Sequence, residues 1–136
     1  MYQFEHKIRV RYAETDQMGY VYYGNYATYF EVARAESIRS LGLSYKEIEE
    51  AGVIMPVLEN YSKYLRPALY DDELTIKLAI PKLPDTRIRY EYQVLKGDKL
   101  IHKGYTVLVF VERRTGKPCL MPEILSEILA PFFNEV

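Results

Sequence analysis

Polar and apolar residues alternate along "FEHKIRVRY", with Phe4, His6, Ile8, Val10 and Tyr12 set against Glu5, Lys7, Arg9 and Arg11. That period of two predicts a half-buried strand. Beyond a polar, glycine-containing stretch the period changes. In "NYATYFEVARAESIRSLG" the apolar positions Tyr26, Tyr29, Phe30, Ala33 and Leu41 have helical spacing. Gly42 follows as a C′ residue, and the spacing predicts a helix of about four turns. "SYKEIEEAG" supplies Ser44 as N-cap, Glu47 three residues later and Gly52 as terminator, a capping box on a short second helix.

From Val53 onward the pattern is that of strands. "VIMPVLENYSKYLRPA" reads as a long irregular strand with Pro56 early and Pro67 at its end. "ELTIKLAI" puts Leu74, Ile76, Leu78 and Ile80 on one face, and "TRIRYEYQVL" does the same with Ile88, Tyr90, Tyr92 and Val94. "KGDK" turns the chain into "LIHKGYTVLVFVE", long enough to be the central or longest strand. "PEILSEILAPFF" begins with Pro122 at an N1 position and reads as a terminal amphipathic helix. A strand, two helices, four strands and a helix, with no repeat or linker, predict a single domain over residues 1–136. The class is α+β, an antiparallel sheet covering one main helix.

Composition narrows the function. A formal net charge of −1, with 49% hydrophobic and 27% charged residues, is the ordinary soluble globular balance. It argues against a nucleic-acid partner, which needs a clustered basic face, yet leaves room for a small anionic ligand. One cysteine, Cys119, forms no internal disulfide and fits a reducing compartment. No apolar run reaches the length of a membrane span, and the first residues lack a signal-peptide core, so a cytoplasmic protein is expected. Fourteen tyrosines stand against five Phe and no Trp. Tyrosine joins an apolar body to a hydroxyl that wants a partner, which suits a half-polar cleft, a subunit interface or simply strands.

The candidate chemistry lies between the first strand and the long helix. Asp16 precedes the predicted helix start by about seven residues, and Gly19 permits a tight bend between them. The first helical N–H groups, around Tyr23, Gly24 and Asn25, lack intrahelical acceptors and carry partial positive charge. A carboxylate poised near such a terminus supplies two halves of acyl-transfer chemistry, a base or nucleophile and a backbone oxyanion hole. The same residues also make an ordinary turn, and Asn25 also suits an N-cap. No histidine occurs between His6 and His102, so a local Ser-His-Asp triad is not encoded.

"VRYAETDQMGYVYYGNYATYFEVARAESIR" resembles the signature of the hotdog-fold acyl-CoA thioesterases, in the 4-hydroxybenzoyl-CoA thioesterase branch that includes the Tol–Pal-associated thioesterases. Its pattern is a strand, Asp-x-x-Gly-x-x-x-(Tyr or His)-x-x-Tyr, then the long helix. "YSKYLRPALYDDELTI" and "VFVERRTGKPCLMPE" are similar to later parts of the same family, so the resemblance runs from about Ile8 to Glu123. It implies the hotdog fold, a curved five-stranded antiparallel sheet wrapped around one long helix. It implies subunits pairing sheets edge to edge as a homodimer or a tetramer, with acyl-CoA as substrate and active sites at the interface. It implies Asp16 as catalytic nucleophile or base, with the Tyr23 amide polarising the thioester carbonyl. Several relatives carry histidine at the Tyr23 position; tyrosine keeps the backbone donor and removes the imidazole.

A thioester is already activated, so neither cofactor nor metal is expected. Gly19, Gly24, Asn25 and Tyr26 are expected to shape the substrate site beside Asp16. Tyr61 and Tyr64 either line the acyl or pantetheine path or pack in an interface. Among Lys63, Arg66, Lys82, Arg87 and Arg89, one or two are expected on the coenzyme A phosphates, with Lys63 and Arg87 the candidates. Glu31, Arg34 and Glu36 read as an ion-paired helix face. His6, His102 and Cys119 read as structural. The expected reaction is hydrolysis of a small or medium acyl-CoA. Alternatives are a hotdog dehydratase, disfavoured by a loop without histidine, and a non-catalytic acyl-CoA-binding or assembly module.

Overall fold

A computed structural model describes residues 1–134. In chain order the elements are β1 (Tyr2–Arg9), α1 (Asn25–Ser40), α2 (Tyr45–Glu50), β2 (Val53–Ile54), β3 (Val57–Tyr64), β4 (Glu73–Ile80), β5 (Arg87–Lys96), β6 (Lys99–Val109), β7 (Val111–Glu112) and α3 (Glu123–Leu129). Five strands form one antiparallel sheet in the order β1-β4-β5-β6-β3, and β2 pairs with β7 in a separate two-stranded ribbon.

The sheet's inner face is the one the period of two predicts. Leu74, Ile76, Leu78 and Ile80 on β4, and Ile88, Tyr90, Tyr92 and Val94 on β5, are all buried. They pack with Tyr26, Tyr29, Phe30, Ala33 and Ile38 of α1 in one apolar cluster. The Phe30 ring stacks on Tyr92 at 3.9 Å, so α1 lies directly on the sheet. β6 admits this approach through Gly104. A Cβ there would stand 2.2 Å from the Tyr61 carbonyl oxygen and 3.1 Å from Phe30 Cε2.

Several sequence expectations shift by local geometry. β1 ends at Arg9, where its ladder with Glu73 stops, so Tyr12 leaves the strand and is 77% exposed in a 3-10 turn. Pro56 splits the long irregular strand into β2, which joins β7, and β3, which joins β6. β6 is the longest strand, but β5 is central. Pro122 is the N-cap of α3 rather than its first residue. The capping of α2 is as expected: Ser44 Oγ accepts from the Glu47 backbone N–H at 3.1 Å. Gly42 takes φ +89°, as the C′ position of α1 requires. Among the described residues no helix is long and apolar enough to cross a membrane.

Candidate active site

The stretch between β1 and α1 folds back on itself and is pinned at several points. Thr15 bridges Val21, and Tyr20 bridges Leu69. The Asp16 N–H donates to the Tyr20 carbonyl at 2.7 Å, and the Val21 N–H donates to the Ala68 carbonyl at 2.8 Å. Gly19, at φ +80°, makes the reversal that an L side chain rarely allows.

Asp16 is half-buried in this turn. Its Oδ1 accepts from the backbone N–H groups of Met18 (2.9 Å) and Tyr20 (3.2 Å). That is an Asx-type turn, so the turn-former reading is correct as far as it goes. Oδ2 has no hydrogen-bond partner among the described residues. One oxygen holds the carboxylate in place while the other is available for chemistry.

The start of α1 supplies donors. Gly24 is the N-cap and Asn25 the first helical residue, so Asn25 is not the cap. Its Nδ2 instead donates to the Glu14 carbonyl at 2.8 Å, and its backbone N–H is taken by the Tyr22 carbonyl at 2.9 Å. The Tyr26 N–H is similarly taken by the Tyr23 carbonyl. The backbone N–H groups of Tyr23 and Gly24 have no protein acceptor among the described residues. Tyr23 and Gly24 thus keep free donors at the helix start, while the amide of Asn25 does not.

Glu14 escaped the sequence reading and anchors the loop. Its carboxylate accepts from the Arg11 N–H (2.8 Å), the Arg11 guanidinium (3.0 Å) and the Tyr29 hydroxyl (2.9 Å). Partial desolvation pushes its carboxyl up, but these hydrogen bonds and the Arg11 charge outweigh it and hold it below the usual carboxylate range. The available signal was the Arg11-x-x-Glu14 spacing, a capping box on the 3-10 turn.

Tyr26, Tyr64 and His102 form the wall beneath the helix start. The Tyr26 ring stacks on His102 at 3.8 Å, and Tyr64 meets Tyr26 edge-on at 5.7 Å. Burial pushes the Tyr26 phenol up to about 12, with Tyr64 adding to the effect, so it stays protonated. His102 is fully buried, and burial pushes its imidazole down to about 4. Its Nε2 lies 3.0 Å from Ser62 Oγ, and its Nδ1 has no partner. An unpaired buried acceptor is less unfavourable than an unpaired buried N–H, so we assign the proton to Nε2, which donates to Ser62. The sequence places His102 far from Asp16; the sheet brings it against a site residue.

The other expected residues fall elsewhere. Tyr61 and Lys63 alternate with Ser62 and Tyr64 on β3 and face the sheet's outer side. There Tyr61 stacks on Tyr105 at 5.4 Å, beneath the Arg89 guanidinium 3.9 Å from the Tyr105 ring. Arg87 shares that face with Arg89 at the exposed start of β5. Asp16, Gly19, Tyr23, Gly24, Asn25, Tyr26 and Tyr64 are thus gathered around one loop, while Tyr61, Lys63 and Arg87 are not. A groove of about 480 Å³ on the outer face, lined by Glu5, Lys77, Glu91 and Gln93 among others, contains none of the candidate catalytic residues. Arg34 is a correction: it is 8% exposed and carries no ion pair among the described residues, so it is not part of a solvated ion-paired face. Glu36 pairs instead with Arg39. No group of three or more metal-ligating side chains is assembled among the described residues.

Comparison with known proteins agrees with this architecture. The pattern of the thioesterase-like superfamily matches residues 10–129. The crystal structure of a DHNA-CoA thioesterase from Staphylococcus aureus superposes with a TM-score of 0.84 at 34% identity, covering 98% of this chain and 87% of the other. A hypothetical protein from Aquifex aeolicus superposes with a TM-score of 0.87 at 33% identity over 93% of this chain and 98% of its own. The acyl-CoA thioester hydrolase YbgC of Escherichia coli O157:H7 is 27% identical over 88% of this chain and 90% of its own. With its five-stranded antiparallel sheet packed on one long helix, the chain has the hotdog fold and belongs to the thioesterase-like superfamily of acyl-CoA thioester hydrolases.

Proposed function

We propose that this protein hydrolyses small or medium acyl-CoA thioesters, with Asp16 as the catalytic carboxylate and the Tyr23 amide as the main oxyanion donor. One observation carries the reading: among the described residues, Asp16 keeps an unpartnered oxygen on a loop pinned to a helix start whose Tyr23 and Gly24 N–H groups are also unpartnered. The amides polarise the thioester carbonyl and stabilise the oxyanion, a contribution of ~3 kcal/mol for one good donor. Asp16 either attacks the carbonyl carbon or takes a proton from the attacking water. In both routes the C–S bond breaks, the thiolate of coenzyme A leaves and water supplies the oxygen of the free acid. Nothing in the sequence requires a cofactor.

The unpaired edge of β3 supports an oligomer. Val57, Leu58, Tyr61 and Tyr64 are all exposed on it, which an isolated edge strand avoids. Met18, Tyr20 and Tyr22 are exposed on the candidate loop itself. In this reading two chains pair along β3 and each covers the other's loop. Lys63, on that edge, then comes within reach of the coenzyme A moiety bound across the interface.

The test is turnover of a panel of short-chain, long-chain and aromatic acyl-CoAs by wild type and by Asp16→Asn and Asp16→Ala. We expect kcat to fall by roughly 10²–10⁴ in both variants with the fold retained. Unchanged turnover in the variants would remove Asp16 from the chemistry. Binding of coenzyme A thioesters by wild type without cleavage of any would favour a non-catalytic binding module.

A further inference from the structure

Arg34 is a buried cation that the hydrolysis chemistry leaves without a task. Its Nη1 donates to the Tyr92 hydroxyl at 3.0 Å and, more weakly, to Thr106 Oγ1 at 3.4 Å. Both partners are neutral. The Tyr92 hydroxyl donates to Thr106 Oγ1 at 2.9 Å, and the Thr106 hydroxyl donates to Asn60 Oδ1 at 2.8 Å. Among the described residues no carboxylate lies within ion-pairing distance, although seven ion pairs form elsewhere. The Tyr90 ring, 6.0 Å from Cζ, and the Tyr45 hydroxyl add neutral partners, but a desolvated guanidinium with no anion remains unfavourable.

The side chain also borders a cavity. Nε and Nη2 make no hydrogen bond among the described residues, yet neither is sealed from solvent. Arg34 lines a cavity of about 300 Å³ between α1, α2 and β2, with Ala35, Ile48, Met55 and Leu108 as apolar walls and the Tyr45 hydroxyl, 2.7 Å from that of Tyr90, as a polar neighbour of the guanidinium. The Nε and Nη2 edge is the side of a guanidinium that receives a carboxylate through two parallel hydrogen bonds. Glu31 and Glu49 also line the cavity, and both are exposed. Both oppose an entering carboxylate, but water screens these exposed groups far more than it screens the buried Arg34.

We propose that this cavity receives the distal carboxylate of the acyl group, so that the preferred substrates are coenzyme A thioesters of dicarboxylic acids rather than of plain fatty acids. This rests on the thioesterase reading. Arg34 stands nine residues beyond Asn25 on α1, roughly 13 Å of axial rise, and helical side chains lean back toward the N-terminus. In this reading the acyl chain runs along α1 from a thioester at the helix start toward Arg34. The apolar walls fit the methylenes and Arg34 fits the terminal charge. The Tyr92–Thr106–Asn60 chain holds the guanidinium in orientation from behind.

The experiment compares kcat/KM for adipoyl-CoA and hexanoyl-CoA, which match in length and differ in the terminal carboxylate. Wild type, Arg34→Lys and Arg34→Met are measured, each checked for fold by circular dichroism and thermal melting. Wild type is expected to favour adipoyl-CoA by roughly tenfold or more, the scale of a charge-assisted hydrogen bond. Arg34→Lys retains part of that ratio, and Arg34→Met brings it to about one or inverts it. Equal turnover of the two substrates by wild type overturns the proposal. So does a parallel loss on both substrates in Arg34→Met, which is what a purely structural brace gives. Calorimetric titration of wild type with monomethyl adipate and with dimethyl adipate reads the cavity independently of turnover and of any variant's folding. Heat from the monoester alone supports the site, and none from either overturns it. A chain that cleaves no thioester but binds the monoester would overturn the hydrolase reading and leave the anion site standing.

Discussion

Acidification from pH 7 to pH 5 is expected to destabilise this protein through His102. The imidazole is fully buried, stacked on Tyr26 at 3.8 Å, crossed by Tyr64 at 4.7 Å and flanked by Phe30 at 5.6 Å. Protonation would place a second N–H at Nδ1, which has no acceptor. Burial therefore pushes the imidazole from 6.5 down to about 4. The unfolded chain takes up a proton near the ordinary histidine value that the folded chain refuses until about 4. Stability consequently rises with pH across that window and is lost as pH falls through it. The full gap corresponds to ~3 kcal/mol, of which about 2 kcal/mol is lost between pH 7 and pH 5. That is a large share of a typical domain's ~5–15 kcal/mol. Urea unfolding of wild type and His102→Phe at pH 7 and pH 5 isolates it, because the substitution retains the stacking and removes the titration. Wild type should lose about 2 kcal/mol more than His102→Phe over that interval. Equal losses would refute the argument. So would a His102 Cε1 resonance titrating near the ordinary value in a His6→Gln background, where it is the sole histidine.

Two further outcomes test the scaffold. Gly104→Ala should destabilise the fold by about 2 kcal/mol or more, because its Cβ would meet the backbone oxygen of Tyr61, which cannot yield without disturbing the β3–β6 ladder; a denaturant titration with an unchanged midpoint would contradict the close approach. Leu58→Lys on the open edge of β3 should shift the sedimentation coefficient from that of an oligomer to that of a monomer. A wild type that already sediments as a monomer would contradict edge-to-edge pairing and a shared active site.

What sequence alone determined here is what depends on neighbours along the chain. The period of two on β4 and β5 identified every buried residue of those strands, because alternate side chains of a strand must face opposite sides. The start of the α1 stripe, Tyr26 to Ala33, was legible at the helical period, though Ile38 was missed and Leu41 lies beyond the helix as its cap; the Ser44 cap, the Gly42 terminator and the bend at Gly19 were legible too. Asp16 and the amides near Tyr23 became a candidate site through the resemblance to the thioesterase signature, since their spacing alone equally describes a turn.

Tertiary structure alone decided the environments built by residues distant in sequence. Arg34 lies in a charged run, next to residues that would ordinarily share solvent, and only the arrival of Tyr92 and Thr106 from β5 and β6 makes it a buried cation. His102 sits in an alternating strand like any other, and only the packing of α1 against β6 sets it on Tyr26 beside the candidate site. The face on which Tyr61 and Lys63 lie depends on the phase of β3, which its ladder with β6 sets after Pro56 breaks the strand. Local pattern tells which way a side chain points relative to its own element. What waits there is set by pairings across forty or more residues, and burial, proton affinity and free hydrogen-bonding capacity follow from those pairings.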